Sequence, residues 1–509
     1  LESAIHGGGA VSVTGVQREA RRYLLLLLLT GLVLGGYLAT SKAVYDFGFP
    51  LDDAWIHQTY ARNLIAEGEW AFLPGQPSAG STAPLWTLAL SLGYRLGIDP
   101  KAWSYLLGGL LLMSTAWVCG LWFVQRMGKS RRWIFWAASL VILEWHLVWA
   151  AVSGMEILAL AFTAAFVLYR LECTRFQAVY LGAVIGLGVW IRPDALSLLL
   201  PVGWTILFRD RLTFKRLMVD VGGVCLGLVI TILPYGMFNF WLSGTWWPST
   251  FYAKSAEYAV LRETSLIQRL FTQISVPFVG AAIILFPGIV ISVVQSFRAK
   301  KWTQFAPLLW VFGFLAAYAW RLPVTYQHGR YAMPVIPALL VVGLSGLIVV
   351  MDYDHQRTFS RLLVKSWSIS IWVVALAFLV LGAQAYGRDV AIIETEMVQC
   401  ARWIAGNTES NAIVASHDIG ALGYYSRRPL LDLAGLISPE VIPFIRDEDA
   451  LAQYLTENDA AYLMTFPQWY PSLVQQAKRV YLTASEYSPR SGGENMAVYK
   501  WILQGLPHE

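Results

Sequence analysis

The chain has 509 residues, of which 56% are hydrophobic and 14% charged, with a formal net charge of +5. Soluble domains carry about a quarter of their residues as charges, so this composition excludes a soluble globule and indicates a polytopic membrane protein. The surplus of positive charge is not a nucleic-acid surface, because the basic residues lie in short clusters between apolar runs. Cys119, Cys173, Cys225 and Cys400 are scattered, and no disulfide framework or zinc set emerges from their spacing.

In chain order, residues 1–22 read as a cytoplasmic tail, disordered over 1–15, where the small and polar residues lack a signal peptide's cleavage pattern. The first apolar run, 23–45, is followed by a polar segment, 46–84, rich in Gly, Pro and Ser. Further runs near the roughly 20 residues a span requires occur at 103–124, 133–152, 217–241, 276–297, 305–320, 332–351 and 367–384. Three marginal runs, 157–169, 179–191 and 195–208, are flanked as spans should be. Residues 85–96 are too short to cross and read as an interfacial or re-entrant helix.

Basic clusters set the topology. With the amino terminus inside, Arg18/Arg21/Arg22, Arg126/Lys129/Arg131/Arg132, Arg170/Arg175, Arg209/Arg211/Lys215/Arg216, Arg298/Lys300/Lys301 and Arg357/Arg361/Lys365 all fall on the cytoplasmic side, as the positive-inside rule requires. Eleven crossings result. A crossing at 85–96 would throw the cluster at 125–132 outside, which supports the interfacial reading.

From about Gly387 the apolar runs shorten to strand length, at 412–415, 430–433, 461–465, 480–483 and 497–501, with helical patterns near 394–405 and 449–457. That alternation predicts a small α/β domain over 387–509, placed outside by the odd number of spans in the membrane domain, 23–386.

Polar residues then converge on the outer face. Asp52 and Asp53 lie just outside the first span, and acids at that border default to function; His57 follows one helical turn after Asp53. Glu156 ends a span, Arg192 lies in an outer turn, and Tyr252, Lys254, His328 and Arg330 occupy two further outer loops. His417 and Asp418 lie in the outer domain. Each residue also has a plain structural role open to it, as a cap, a turn or an interfacial anchor.

Carboxylates facing cations suit a reaction that removes a proton and expels a phosphate. A hydroxyl becomes a nucleophile when a carboxylate takes its proton, and a departing phosphate is met by Arg through paired hydrogen bonds. Nucleotide-activated donors are scarce outside the cytoplasmic membrane, so a lipid phosphate is the economical carrier of an activated group there.

The order of first span, outer Asp-Asp loop, amphipathic helix, many spans and outer carboxy-terminal domain resembles the GT-C superfamily of membrane glycosyltransferases, which use polyprenyl-phosphate sugars. Asp52-Asp53-Ala54, then Tyr60-Ala61-Arg62-Asn63-Leu64, Phe72-Leu73-Pro74-Gly75 and Gly80-Ser81-Thr82-Ala83-Pro84-Leu85-Trp86, is similar to the actinobacterial arabinofuranosyltransferase branch. Trp55-Ile56-His57 departs from that branch, where a Tyr-Ile-Ser type run is usual. The resemblance implies that Asp52 is the general base and that Arg192 holds the lipid phosphate.

The expected function is therefore an inverting transfer of a sugar from a polyprenyl phosphate to a hydroxyl of a glycan, lipid or protein acceptor on the outer face of the cytoplasmic membrane. Asp52 and Asp53 are the expected catalytic pair, Arg192, Lys254, Arg330 and Tyr252 the phosphate ligands, and His57, Glu156, His328, His417 and Asp418 the substrate contacts. Arg192 and Arg330 are expected within about 12 Å of each other if they serve one phosphate. No cofactor is required, although the acid pair leaves a shared divalent cation open. Rival readings are a lipid-linked sugar flippase, which predicts structural repeats, and a glycan-binding membrane scaffold.

Overall fold

The computed structural model describes residues 13–173, 176–209, 212–353 and 358–502. Seven of its helices are long and apolar enough to cross a bilayer: Glu19–Val44, Pro100–Met127, Phe214–Ser243, Ala281–Arg298, Trp302–Arg321, Tyr326–Asp352 and Arg361–Asn407. The pair Trp133–Ile142 and Trp145–Ala151 is one further run bent by 69°. Glu144 sits at the bend, almost fully buried, with its carboxylate 2.8 Å from His146 Nδ1. A carboxylate inside an apolar run has to find a donor, and the break brings one within reach. Ile157–Leu171, Ala178–Val189 and Pro193–Phe208 are shorter apolar helices. With them, every one of the eleven apolar runs becomes helix.

Small residues set the closest helix contacts, as expected where lipid supplies no hydrophobic drive for association. A Cβ on Gly227 would lie 2.1 Å from the Val179 carbonyl oxygen, and one on Gly346 only 1.8 Å from that of Gly288. Any larger side chain at either position would part the helices. Elsewhere Phe214–Ser243 turns Leu226, Val229, Ile230 and Leu233 outward, the apolar face a lipid-bathed helix needs.

The basic clusters gather at one end of the bundle. Arg131 pairs with Glu19 at 3.0 Å, Lys129 with Asp352 at 2.6 Å, and Arg126 with Glu172 while also donating to the Gln304 carbonyl at 3.2 Å. Arg209 pairs with Asp220 at 2.7 Å. Arg175, Arg211 and Arg357 lie outside the described residues, as do residues 1–12 of the expected tail.

Several boundaries differ from the sequence expectation. The first helix already begins at Val13, inside the segment read as a tail, because the polar turns before Tyr23 simply extend the span. The run at 276–297 becomes helix only from Ala281, after a break at Gly280 (φ +139°). Before it lies Leu266–Ser275, whose Ile267 and Phe271 are 81% and 75% exposed, the form of an interfacial helix. Residues 85–96 form the short helix Pro84–Arg95, packed on the loop helix Asp53–Ala66. A small hairpin, β1 (Ala71–Leu73) and β2 (Gln76–Pro77), lies between those two helices.

The carboxy-terminal domain, called the outer domain after the side on which the sequence expectation puts it, is a five-stranded sheet of β3 (Val414–Ser416), β4 (Leu430–Asp432), β5 (Tyr462–Thr465), β6 (Ala477–Leu482) and β7 (Ala497–Trp501), in the order β4-β3-β5-β7-β6. Strands β3, β4 and β5 are parallel, and β7 runs antiparallel to both β5 and β6. The helix expected near 394–405 is not a separate element, since the last membrane helix continues through a π-turn at Glu394–Val398 into Gln399–Asn407.

Candidate active site

The site forms at the bundle end opposite the basic clusters, where the loop helix Asp53–Ala66, the helix Ser249–Glu257, the turn before Tyr331 and the outer domain meet. Asp52 and Asp53 stand at the start of the loop helix, and consecutive helical positions point about 100° apart. Their environments differ accordingly. Asp52 turns to the outer domain, where Gly420 donates its N–H to Oδ2 at 2.7 Å and Ala421 donates to Oδ1 at 2.8 Å. Burial, helped by the neighbouring Asp418 charge, pushes the Asp52 carboxyl up to about 8 despite those two donors.

Asp53 turns to cations. Its Oδ2 lies 2.7 Å from Arg330 Nη2 and 3.2 Å from Lys254 Nζ. Burial works against its charge, but Lys254 and Arg330 override that effect and hold Asp53 well below the usual carboxylate range. Both cations also reach the Tyr331 hydroxyl, at 3.3 Å from Lys254 and 3.2 Å from Arg330. Buried Arg330 Nε and Nη1 have no hydrogen-bond partner among the described residues.

Arg192 completes the cluster from the other side. It is held by Glu156 and Asp194, each at 2.9 Å, and donates to the Tyr318 hydroxyl at 3.2 Å. The guanidinium carbons of Arg192 and Arg330 lie 5.2 and 5.0 Å from the centre of the Tyr331 ring. Their separation cannot exceed those two lengths laid end to end, which is inside the expected limit. His57 Nδ1 is 3.2 Å from Ser81 Oγ, and its Nε2 is 3.5 Å from Glu156. Burial opposes ionisation of Glu156, but His57 and Arg192 hold it at about 2.

Two cavities meet at this cluster, and Asp53, Lys254 and Arg330 line both. The smaller, about 210 Å³, carries Arg192, Arg321, Glu156 and Asp194 on its walls. The larger, about 820 Å³, opens under the outer domain. Its walls are acidic and aromatic: Asp52, Glu257, Asp418 and Glu448 beside Tyr258, Trp469 and Tyr470. His417 bridges Glu257 at 3.2 Å and Tyr470 at 2.8 Å, and Asp418 Oδ2 is buried without a partner among the described residues. Burial also pushes the Asp418 carboxyl up, to about 6.

Most of the residues singled out in the sequence therefore come together, with two exceptions. Tyr252 lines neither cavity; on its helix Thr250 and Lys254, four apart, share the inward face, and a residue midway between them points away. Its ring meets Phe251 instead, 39% exposed. His328 is also off the cavity walls, hydrogen-bonded to Asp389 at 2.8 Å and set edge-on to Trp145 and Trp149. Tyr331, Tyr318, Asp194 and Glu257 were not among the expected contacts. The adjacency of Asp194 to Arg192 and of Tyr331 to Arg330 was the available signal. Among the described residues no three His, Cys, Asp or Glu side chains are grouped to hold a metal ion.

Residues 388–499 match a family model described as a domain of unknown function (DUF8728). No curated protein matches the chain. Among solved structures, ArnT from Cupriavidus metallidurans bound to undecaprenyl phosphate is similar over 95% of this chain and 99% of its own, at 16% identity and a TM-score of 0.56. The oligosaccharyltransferase AglB from Archaeoglobus fulgidus, in complex with an inhibitory peptide and a dolichol-phosphate, is similar over 95% of this chain and 75% of its own, at 12% identity and a TM-score of 0.58. The arabinofuranosyltransferase AftD from mycobacteria aligns over 94% of this chain and 40% of its own, at 15% identity and a TM-score of 0.45. The chain has the fold of the GT-C membrane glycosyltransferases: a helical membrane domain carrying a small carboxy-terminal α/β domain.

Proposed function

We infer that the chain is an inverting glycosyltransferase that moves a sugar from a polyprenyl phosphate to a hydroxyl acceptor. The observation that carries this reading is the Asp53–Lys254–Arg330 cluster, which stands where a cation-lined cavity meets an acid-lined one. The donor phosphate enters the smaller cavity and takes the unpartnered N–H groups of Arg330 together with Lys254. Arg192, fixed by Glu156 and Asp194, supports the same wall.

The acceptor occupies the larger cavity. Asp52 removes its hydroxyl proton, and the acceptor oxygen bonds to the anomeric carbon as the bond to the phosphate oxygen breaks. Both electrons of that bond leave with the phosphate, on which Lys254 and Arg330 meet the developing charge. A single displacement inverts the anomeric centre. The positive charge in this scheme is the protein's own, so it calls for no cofactor. Undecaprenyl phosphate in ArnT and dolichol-phosphate with AglB support a lipid-phosphate donor.

The sugar we propose is arabinofuranose, on the strength of the loop motif from Asp52 to Trp86. Aromatic rings and carboxylates in the larger cavity suit a hydroxyl-rich glycan without negative charge, for which rings supply stacking faces and carboxylates accept hydrogen bonds. The clustering of basic residues at the far end of the bundle supports a reaction on the outer face of the cytoplasmic membrane, with the amino terminus inside and the α/β domain outside.

Incubating the purified protein with a panel of polyprenyl-phosphate sugars and following release of the lipid phosphate tests the reading. Turnover of one donor is expected, and Asp52→Asn should lower it about 100-fold or more while donor binding survives. Normal turnover in Asp52→Asn with an inactive Asp53→Asn would move the base to Asp53. Normal turnover in both would refute the enzymatic reading.

A further inference from the structure

The outer domain packs on the loop helix through the short segment Gly420–Tyr425, and that segment meets Asp52. Gly420 and Ala421 each donate a backbone N–H to a different oxygen of Asp52, at 2.7 and 2.8 Å. Two donors to two oxygens fix both the position and the rotation of a carboxylate, which a single bond cannot do.

The rest of the segment is docked just as firmly. Tyr424 and Tyr425 pack against Trp55 with ring centres 4.7 and 4.9 Å away. Arg62 donates to the Tyr424 carbonyl at 2.6 Å and lies over its ring. Gly423 leaves room for Phe72, whose ring would be 2.3 Å from an added Cβ. At Gly420 an added Cβ would fall 2.1 Å from the Asp52 carbonyl oxygen and 2.7 Å from Oδ2. Only glycine permits this approach.

We propose that the outer domain is a working part of the active centre: its Gly420–Ala421 backbone clamps the Asp52 carboxylate in the orientation from which it takes the acceptor's proton. This gives a role to the region matched as a domain of unknown function, and it rests on the reading of Asp52 as the base. Gly420 and Ala421 are positioning residues. They touch Asp52 rather than substrate, and the two bonds they make leave each carboxylate oxygen a further lone pair for the acceptor hydroxyl.

Two substitutions in the full-length protein test the clamp. Ala421→Pro removes one donor at a residue whose backbone, φ −61° and ψ −37°, already suits proline. Gly420→Ala pushes on Asp52 directly. Both are checked for thermal unfolding and for binding of undecaprenyl phosphate, and Asp52→Asn is measured alongside. The expected result is intact undecaprenyl phosphate binding and a kcat lowered about 10- to 100-fold. In Ala421→Pro the acid limb of the pH profile should also move to higher pH, because an ionised carboxylate that loses a donor holds its proton more tightly.

Full turnover and an unmoved pH profile in Ala421→Pro, with Asp52→Asn inactive, would overturn the clamp and leave the base in place. Normal turnover in Asp52→Asn would remove the base itself, and the clamp with it.

Discussion

Arg330 lies 2.7 Å from Asp53, yet two of its buried guanidinium nitrogens have no partner among the described residues. A buried unsatisfied donor costs about 1–3 kcal/mol, so the cluster stores an unmet demand for hydrogen-bond acceptors. Phosphate oxygens are the acceptors that would meet it. Arg330→Ala should therefore raise the transition-state barrier by about 2–4 kcal/mol, read as a fall in kcat/KM. Arg330→Lys keeps the charge but not the fork and should recover only part of the loss. Unchanged kinetics in Arg330→Ala would take the residue out of the mechanism.

Arg192 is expected to behave differently. Its guanidinium is already engaged by Glu156, Asp194 and Tyr318, and Glu156 is almost fully buried. Removing Arg192 would leave that carboxylate with His57 alone, and breaking a buried pair costs about 3–5 kcal/mol. Arg192→Ala should lower the thermal unfolding temperature as well as activity, and by more than Arg330→Ala does, because Asp53 is partly exposed and keeps Lys254. Equal unfolding temperatures for Arg192→Ala and wild type would contradict this division of roles.

The pH dependence follows from Asp52. The proposed base must be ionised to act, and burial lifts the Asp52 carboxyl to about 8. Turnover should consequently rise with pH through the neutral range, far above the ordinary aspartate value near 4. Asp418 adds its negative charge to that lift, so Asp418→Asn should shift the limb to lower pH. Asp53 contributes no limb near neutrality, because its cations keep it ionised throughout. A limb that stays put in Asp418→Asn would separate the two carboxyls functionally.

Orientation can be read by labelling single cysteines from outside intact cells. Ser130 and Ser472 are both exposed, one among the basic clusters and the other in the outer domain. A cysteine at 472 should react with an impermeant reagent and one at 130 should be protected. The opposite pattern would invert the topology and place the site on the cytoplasmic side.

Much of the architecture was legible because apolar runs and basic clusters are one-dimensional signals. The eleven runs became helices, and residues 85–96 became the short helix Pro84–Arg95. The five strands fell within three residues of their expected starts. The break at Gly280 was hidden because Val276, Pro277 and Phe278 are as apolar as the helix that follows. The continuity of the last span into the outer domain was hidden because the change in composition near Gly387 leaves the backbone helical. At the site, residue types pointed to carboxylates facing cations, but not to which acid met which partner. Asp52 and Asp53 are neighbours in sequence, and only the fold sends one to Gly420 and the other to Arg330.

The helix from Arg361 to Asn407 has 47 residues, about 70 Å at 1.5 Å per residue, more than twice the roughly 30 Å of a bilayer's hydrocarbon core. Its one irregular turn is braced, since Glu396 accepts from Thr483, from Asn495 at 3.0 Å and from the Met496 N–H at 2.8 Å. Span and outer domain thus share a single mast with no slack joint between them. Any movement of this mast would therefore carry with it the head that grips Asp52, and with the head the alignment of the acid.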